Sequence, residues 1–244
     1  MDIKIPYTPR KHQAYLHKQI DKNRWNVLVC HRRFGKTVCM INHLIRSALL
    51  SKLKNPRFAY IAPTFKQAKS IAWDYMKQFT AKIPHTKFNE TELRVDLPNG
   101  ARITLLGSES PDGLRGIYLD GCVIDEYANV NSKLFPEIIR PALSDRKGYC
   151  VFIGTPMGMN NNFYELYQHA QGAEDWFNYK AKASDTKIVD QDELDKAKEV
   201  MGEKKYQQEF ECDWIANIEG AVYGDVIAKL DDDKQLTRVP YDPA

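Results

Sequence analysis

A strand-like apolar run, a basic turn and the triplet Gly35-Lys36-Thr37 follow one another in this chain, in that order. The order is typical of a strand that ends in a phosphate-binding loop and continues into a helix. In such a loop the backbone N–H groups and the helix dipole hold phosphate oxygens, the lysine adds a positive charge, and the threonine hydroxyl is a ligand for Mg²⁺. The segment therefore predicts an α/β fold with a nucleotide-binding loop.

The loop differs from the standard pattern Gly-x-x-x-x-Gly-Lys-Ser/Thr at its first position, where Cys30 replaces glycine. It is also strongly basic, because Arg32 and Arg33 lie close to Lys36. A solvated basic turn is the simple alternative, but several like charges beside an apolar strand are unfavourable unless an anion neutralises them. Phosphate is the anion that fits, so Arg33 and Gly35 are assigned to the nucleotide-binding loop.

A second apolar strand pattern, Gly121–Asp125, ends in two adjacent carboxylates, Asp125 and Glu126. The carboxyl ends of strands face the crevice where open α/β sheets bind ligands, so Asp125 is placed to hold Mg²⁺ or its waters. Glu126 is placed to polarise an attacking water, a contribution of about 10²–10⁴ in rate. A solvated strand end is the alternative, but together with the upstream loop the two carboxylates predict a nucleoside triphosphatase.

Three further residues are candidates for the same site. The hydroxyl of Thr155 follows another apolar strand, where it can respond to the terminal phosphate. The amide of Gln13 is both donor and acceptor and can read an adenine edge. Arg115 stands between two glycines, from where it can reach a neighbour's phosphoryl group, a contribution of roughly 10³–10⁵ in rate. Taken alone, Thr155 is equally a simple strand exit, whereas Gln13 by itself indicates an ordinary helix start and Arg115 a turn with a solvated arginine.

Strand and helix patterns alternate along the chain, which predicts a mostly parallel central sheet with helices on both faces. With the loop and the acidic strand, this corresponds to a P-loop NTPase fold of the RecA/ASCE type. The turn Pro98–Gly100 predicts an antiparallel hairpin, and Asp190 with Glu193 resembles a capping box. The other predicted strands are Trp25–Cys30, Arg57–Ala62, Tyr149–Gly154 and Trp176–Ala181, and the predicted helices are Thr37–Lys52, Ala68–Phe79, Ser132–Leu143 and Phe163–Gln171.

Composition sets only loose bounds. A chain of 244 residues is long enough to bury one substantial α/β core, and a net charge of +3 permits a basic surface without indicating nucleic-acid binding. The five cysteines are scattered, with no Cys-x-x-Cys pair, and are read as buried free thiols. The N-terminus has no signal-peptide pattern and no apolar run is long enough to cross a bilayer, so we expect a cytosolic protein without membrane association.

Taken in order, five segments resemble the large terminase subunit of tailed bacteriophages, the ATPase that pumps DNA into procapsids. The resemblance extends over roughly the first 220 residues, and the loop without its first glycine is similar to that family's variant phosphate loop. The segments are Tyr7–Gln13, His31–Thr37, Gly113–Gly116, Val123–Ala128 and Gly154–Pro156.

The resemblance implies a role for each matching residue of the nucleotide site. Lys36 and Thr37 would hold the triphosphate of ATP and its Mg²⁺. Arg32 would sense the γ-phosphate within the same chain. Asp125 would organise the metal, and Glu126 would activate water.

The resemblance also implies adenine contact by Gln13 and coupling of hydrolysis to DNA movement through Thr155. Arg115 would be the finger that one subunit inserts into the next, which implies a homo-oligomeric ring, a pentamer on the portal. The implied partners are double-stranded DNA, the portal protein and the small terminase subunit. The implied location is the host cytoplasm, on the procapsid portal.

Terminases of this family usually carry a second domain, a metal-dependent nuclease, after a small lid and linker. We expect an ATPase domain over residues 1–209, followed by lid and linker over 210–244, with the lid starting near Phe210 and including Trp214. The acidic run Asp231–Asp233 is read as solvated linker, since it lacks carboxylates on separate strand ends. No nuclease activity is expected from this chain.

Two other functions remain open at this point. A helicase-like or repair DNA-dependent ATPase would share the phosphate loop and the acidic strand, although a second RecA-like half is missing from the sequence. A nucleotide-gated DNA-binding assembly module with little turnover would need no water-activating acid, so Glu126 argues against it.

Overall fold

The computed structural model describes residues 4–215, in which one eight-stranded sheet is surrounded by helices. The strands are β1 Trp25–Cys30, β2 Arg57–Ala62, β3 Lys87–Asn89, β4 Arg94–Asp96, β5 Arg102–Gly107, β6 Gly121–Asp125, β7 Tyr149–Gly154 and β8 Trp176–Ala181. The α-helices are α1 Lys11–Ile20, α2 Lys36–Leu50, α3 Phe65–Ala68, α4 Asp74–Thr80, α5 Arg140–Ala142, α6 Asn162–Ala170, α7 Ala183–Thr186, α8 Gln191–Met201 and α9 Glu203–Phe210. Two π-helical turns, Lys69–Trp73 and Leu134–Ile139, lead into α4 and α5.

The strand order is β3-β4-β5-β2-β6-β7-β1-β8, and the six strands from β5 to β8 in this order are parallel. The remaining two, β3 and β4, extend the sheet in antiparallel fashion beyond β5. The mostly parallel sheet and the antiparallel hairpin predicted from the sequence are therefore confirmed. Strand β7 lies between β1 and β6, so the strand before the Gly-Lys-Thr loop and the strand before the two carboxylates are not neighbours.

Side chains of β1 alternate between two hydrophobic layers. Leu28 and Cys30 belong to one layer, together with buried residues of α1, α2 and α4. Val27 and Val29 belong to the other, together with residues of the Leu134–Ile139 turn and α6. Because β1 is fully buried on both faces, its sequence does not alternate between apolar and polar residues and is apolar except for Asn26. Helices therefore cover both faces, as predicted.

One local prediction was wrong, and one predicted helix has a different hydrogen-bonding pattern from a regular α-helix. The carboxylate of Asp190 accepts no hydrogen bond from the first turn of α8, and Glu193 pairs with Lys196 at 3.5 Å instead of reaching back to Asp190, so the capping box does not form. The predicted helix Ser132–Leu143 is a π-helical turn with one short α-helical turn, since Pro136 and Pro141 lack the N–H that a regular helix needs.

Several elements gave no clear sequence signal, among them β3, α7 and α9. The acidic run Asp231–Asp233 and most of the expected lid and linker lie outside the described residues. Trp214, near the end of the described part, packs against Phe163 and Tyr164 of α6. None of the helices described is both long and apolar enough to span a membrane.

Candidate nucleotide-binding site

The loop between β1 and α2 has the backbone conformation that its sequence predicts. Gly35 immediately precedes α2 with φ 86°, in the left-handed region that glycine adopts readily. A Cβ atom there would also lie 3.0 Å from the side-chain nitrogen of Gln13. Arg33 adopts φ 70° without being glycine, and its side chain is exposed. The loop is thus a tight turn that continues directly into the N-terminus of α2.

Hydrogen bonds from a buried histidine hold this loop in place. The backbone N–H of His31 donates to the carbonyl of Ala181 at the end of β8, at 3.0 Å. Its ring Nδ1 lies 2.6 Å from the carbonyl of Arg32, which can only accept, so Nδ1 carries the proton and Nε2 accepts from the Thr186 hydroxyl at 2.8 Å. Burial lowers the pKa of His31 and favours this neutral ring. Neighbouring elements thus fix the loop before any ligand arrives.

Lys36 bends back over the loop. Its Nζ donates to the carbonyl of Cys30 at 3.4 Å, and Cys30 itself is fully buried at the position where the standard loop has glycine. The ammonium group acts on both carboxylates that follow β6, lowering the pKa of Asp125 and of Glu126 against the effect of burial. The phosphate-binding charge and the two acids therefore share one electrostatic environment.

Asp125 is buried, with 4 % of its surface exposed, and both its oxygens are engaged. Oδ2 accepts from the Tyr60 hydroxyl of β2, and Oδ1 accepts from the N–H of Glu126 at 2.9 Å. Burial raises the pKa of Asp125, and the Tyr60 hydrogen bond and the Lys36 charge oppose that rise. The carboxylate is thus oriented by the sheet itself.

The donor set fits a magnesium ion bound together with phosphate. Asp125 and Thr37 offer a carboxylate and a hydroxyl oxygen, and Mg²⁺ prefers oxygen ligands while retaining several waters. Within residues 4–215 there is no group of three or more His, Cys, Asp or Glu side chains that could hold a metal alone. An ion here would depend on phosphate oxygens and water for its remaining ligands.

Glu126 leaves the end of β6 with a left-handed backbone, φ 46° and ψ 49°, and begins a short 3₁₀ turn. This turn passes close to the end of β7, where a Cβ on Gly154 would lie 3.6 Å from the Cα of Glu126 and 3.2 Å from the ring of Phe163. Glycine at 154 therefore leaves room for the Phe163 ring, while the contact with Glu126 would be an ordinary van der Waals contact. Burial raises the pKa of Glu126, which moves this carboxyl towards the range suited to a general base.

The strand ends enclose a polar cleft of about 280 Å³. Four of the residues predicted from the sequence line it, namely Arg32, Lys36, Glu126 and Thr155, so the structure brings the two motifs and the end of β7 together. Thr155 is 8 % exposed. The complete lining is Arg32, Lys36, Glu126, Asn129, Thr155, Met157, Lys205, Gln208 and Glu209.

Gln13 lies behind the loop and not in the lining of the cleft. Its Oε1 accepts from the N–H of Arg10 at 3.0 Å, and its Nε2 donates to the carbonyl of Gly35 at 3.3 Å. Both ends of the amide are thus used within the chain, joining α1 to the loop after β1. Adenine recognition by Gln13 stays a prediction, and it would require the amide to exchange its contact with Gly35.

Arg115 also lies outside the cleft lining. Its side chain is 60 % exposed, and its guanidinium pairs with Asp112 at 2.8 Å and with Glu137 at 3.5 Å. Because both ion pairs are at the surface, Arg115 can exchange them for a contact with another molecule. The intersubunit role stays a prediction.

Sequence reasoning missed one wall of the cleft. Lys205, Gln208 and Glu209 all belong to α9, whose sequence carries no recognisable motif. It also missed Tyr60, although a tyrosine inside the apolar strand β2 was a signal that a buried hydroxyl needs a partner.

Comparison with known proteins identifies the family. A family model described as terminase large subunit, T4likevirus-type, N-terminal, matches residues 29–226. This chain belongs to that family. Membership confirms the resemblance drawn from the five segments, and it does not favour a helicase-like ATPase or a binding module with little turnover.

Curated relatives and solved structures agree with this assignment. The large terminase subunits of Thermus phage G20c and Thermus virus P23-45 are each 27% identical to this chain over 182 residues, covering 67% of the chain and 36% of the relative. The chain thus spans little more than a third of their length. The Thermus phage P74-26 large terminase ATPase domain superposes with a TM-score of 0.72 at 21% identity, covering 86% of this chain and 95% of that one. The large terminase of another thermophilic bacteriophage superposes with a TM-score of 0.73 at 15% identity, covering 85% of this chain and 54% of that one. These likenesses confirm the fold class.

Proposed function

We propose that this chain is the ATPase part of a terminase large subunit and couples ATP hydrolysis to translocation of double-stranded DNA into a procapsid. One observation carries the proposal: Lys36 of the Gly-Lys-Thr loop after β1 and Glu126, the second of the two carboxylates after β6, line a single cleft. Membership of the terminase family supports it. So does the large terminase of the second thermophilic bacteriophage, which was solved in complex with ADP and with ATP-gamma-S.

In the proposed bound state, the loop N–H groups around Gly35 and the charges of Lys36 and Arg33 hold the triphosphate of ATP. Thr37 and Asp125 would hold Mg²⁺, which when bound neutralises charge on the phosphate oxygens. Arg32 lies at the cleft on the same loop, where its guanidinium can contact the terminal phosphate in cis.

For the hydrolytic step, Glu126 is the base proposed to take a proton from the attacking water. Its burial in the cleft raises its pKa, and a base with a raised pKa holds the transferred proton better. Thr155 is proposed to couple hydrolysis to DNA movement, since it lines the same cleft and its backbone continues into the loop after β7.

Family membership supports the partners and the assembly that we propose. We propose a homo-oligomeric ring, a pentamer, on the portal protein, with the small terminase subunit and DNA as further partners, in the host cytoplasm. Arg115 would enter the neighbouring subunit's cleft, which is compatible with its exposure on its own chain. The division into residues 1–209 and a lid and linker over 210–244, without nuclease activity, stays part of the proposal.

Phosphate release from ATP tests the proposal. We expect the protein to bind ATP with Mg²⁺, and we expect release to rise when DNA and portal-bearing procapsids are added. Absence of ATP binding in a calorimetric titration, with no release under any of these conditions, would overturn the ATPase assignment. A crystal soak with Mg²⁺ and a non-hydrolysable ATP analogue should put electron density between Lys36 and Asp125.

A further inference from the structure

Helix α9 joins the two sides of the cleft. The carbonyl of Glu209 accepts from the backbone N–H of Arg32 at 2.7 Å, which fixes the helix to the loop after β1. Gln208 donates through Nε2 to the carbonyl of Pro156 at 2.7 Å, which fixes it to the segment after β7. Two consecutive residues of α9 therefore hold both strand ends.

Gln208 has an unusual environment for a glutamine. Only 2 % of its surface is exposed, it lies in the wall of the cleft, and its Oε1 has no hydrogen-bond partner within residues 4–215. The orientation of the amide is set by Pro156, because a carbonyl can only accept and must face the NH₂ group. A buried acceptor without a donor costs the folded protein free energy. That free energy is recovered when a bound ligand supplies the missing donor.

The nearby cations have other partners. Arg32 and Lys205 face the carboxylate of Glu209 at 4.0 and 3.4 Å, and Lys36 donates to the carbonyl of Cys30. The phosphate oxygens of a nucleotide are acceptors, so they cannot donate a hydrogen bond to Oε1 of Gln208. A water molecule in the loaded cleft has two protons, and Glu126, in the same lining, is the acceptor for one of them.

From this arrangement we propose that Gln208 positions the attacking water for hydrolysis, its Oε1 accepting one water proton in a hydrogen bond while Glu126 takes the other. The inference rests on the proposed ATPase function. In the step, the water oxygen bonds to the γ-phosphorus while the bond from that phosphorus to the β–γ bridging oxygen breaks. The proton passes to Glu126, ADP leaves with the electron pair, and inorganic phosphate is formed. Gln208 neither gains nor loses a proton.

Gln208→Met is the primary test, with Gln207→Met as its matched control. Methionine is similar in length but accepts hydrogen bonds poorly, and Gln207 bonds to Glu203 on the outer side of α9, away from the cleft. In single-turnover assays on the whole chain, Gln208→Met should lower the hydrolysis rate about 100-fold. Affinity for a non-hydrolysable ATP analogue should stay within about threefold of wild type. Gln207→Met should match wild type in both.

Two phosphate analogues separate positioning from structure. ADP with aluminium fluoride mimics the transition state that includes the water, whereas ADP with beryllium fluoride mimics bound ATP before attack. Gln208→Met should weaken the first complex by about 100-fold and leave the second nearly unchanged. Equal weakening of both complexes would mean that Gln208 only supports the fold and would overturn the inference. If Gln208→Met does not fold, Gln208→Asn, which withdraws the amide by one methylene, should give the same split.

The outcomes of the two proposals can be told apart. If wild-type protein neither binds nor hydrolyses ATP, the proposed function fails. If wild type hydrolyses ATP and Gln208→Met does so equally fast, the proposed function stands and the role of Gln208 is wrong.

Discussion

The hydroxyl of Tyr60 donates a hydrogen bond to Oδ2 of Asp125, from β2 to the neighbouring strand β6. Burial raises the pKa of Tyr60 well above its usual value, so the phenol keeps its proton and remains a donor. Asp125 is therefore held from inside the sheet by one side chain and from the following turn by the N–H of Glu126. A residue buried among apolar strands thus orients the acid that we assign to the metal.

We expect Tyr60→Phe to weaken the use of magnesium. Loss of the hydroxyl leaves one oxygen of a buried carboxylate without its donor, which raises the pKa of Asp125 further and frees its orientation. Loss of a partner behind a metal ligand typically costs 10–100-fold in metal affinity, so the Mg²⁺ concentration for half-maximal hydrolysis should rise about tenfold. Tyr149→Phe is the control, since that hydroxyl donates to Ser47, away from the cleft. An unchanged magnesium titration would contradict the role given to Tyr60.

Glu126→Gln should leave ATP binding nearly intact and lower turnover by about 10²–10⁴-fold. The amide keeps the size of the side chain but cannot take a proton from water. Binding is measured by titration with a non-hydrolysable analogue and turnover by phosphate release. Glu174→Gln, an exposed site elsewhere, controls for the change of charge. Normal steady-state hydrolysis by the Glu126 variant would refute the assignment of the base.

Arg115→Ala should remove activity only in assembled rings, by roughly 10³–10⁵-fold, because the proposed finger acts on a neighbour. The isolated chain should hydrolyse ATP at the wild-type rate, since Arg115 lies outside its own cleft lining. Mixing Arg115→Ala with Glu126→Ala subunits should restore part of the activity, as each supplies what the other lacks. Failure of every mixing ratio to recover activity would count against an intersubunit finger.

A buried histidine pair should make folding sensitive to mild acid. The rings of His17 and His43 stack with their Nδ1 atoms 3.0 Å apart. The Tyr7 hydroxyl contacts the His17 ring, and the Asp21–Arg46 ion pair lies near both histidines. Burial lowers the pKa of His17 to about 4 and that of His43 to about 3. The folded protein thus prefers both rings neutral, while the unfolded chain takes up protons near pH 6.5.

The direction of the pH dependence follows from this difference between the pKa values of the folded and the unfolded chain. Stability contributed by the pair is complete above pH 6.5 and is lost as the pH falls towards 4, by on the order of 3 kcal/mol for His17. Urea unfolding at pH 7.5, 6, 5 and 4.5 measures the slope. The double substitution His17→Gln with His43→Gln should flatten it in this interval. A variant with the wild-type slope would exclude the pair as its source.

Strands were the most predictable part of the fold. The predicted bounds of β1, β2 and β6 coincide with those observed, since strands buried on both faces are mostly apolar along their length. The same holds for β7 and β8 in position and length. Helix ends were displaced by one or two residues, as α2 illustrates, because fraying and capping depend on contacts outside the helix.

The site was predictable where one segment contains both the signal and the chemistry. Lys36 and Glu126 each stand beside a strand whose end can be seen in the sequence. Gln208 could not be found in this way, because its importance depends on a contact with Pro156, 52 residues away, and on an unfilled acceptor. Its helix is polar over most of its length, a pattern that is typical of any exposed surface helix.

The position of β7 between β1 and β6 in the strand order determines the distance between the ends of those two strands. Strands in a sheet are about 4.8 Å apart, so with β7 between them the ends of β1 and β6 are separated by about 10 Å, and a ligand that contacts both ends has to bridge this separation. The main-chain hydrogen bonds between the strands set this distance, and the side chains do not change it. Substitutions along the three strand ends can therefore alter rate or selectivity, while the span that a ligand has to bridge stays the same.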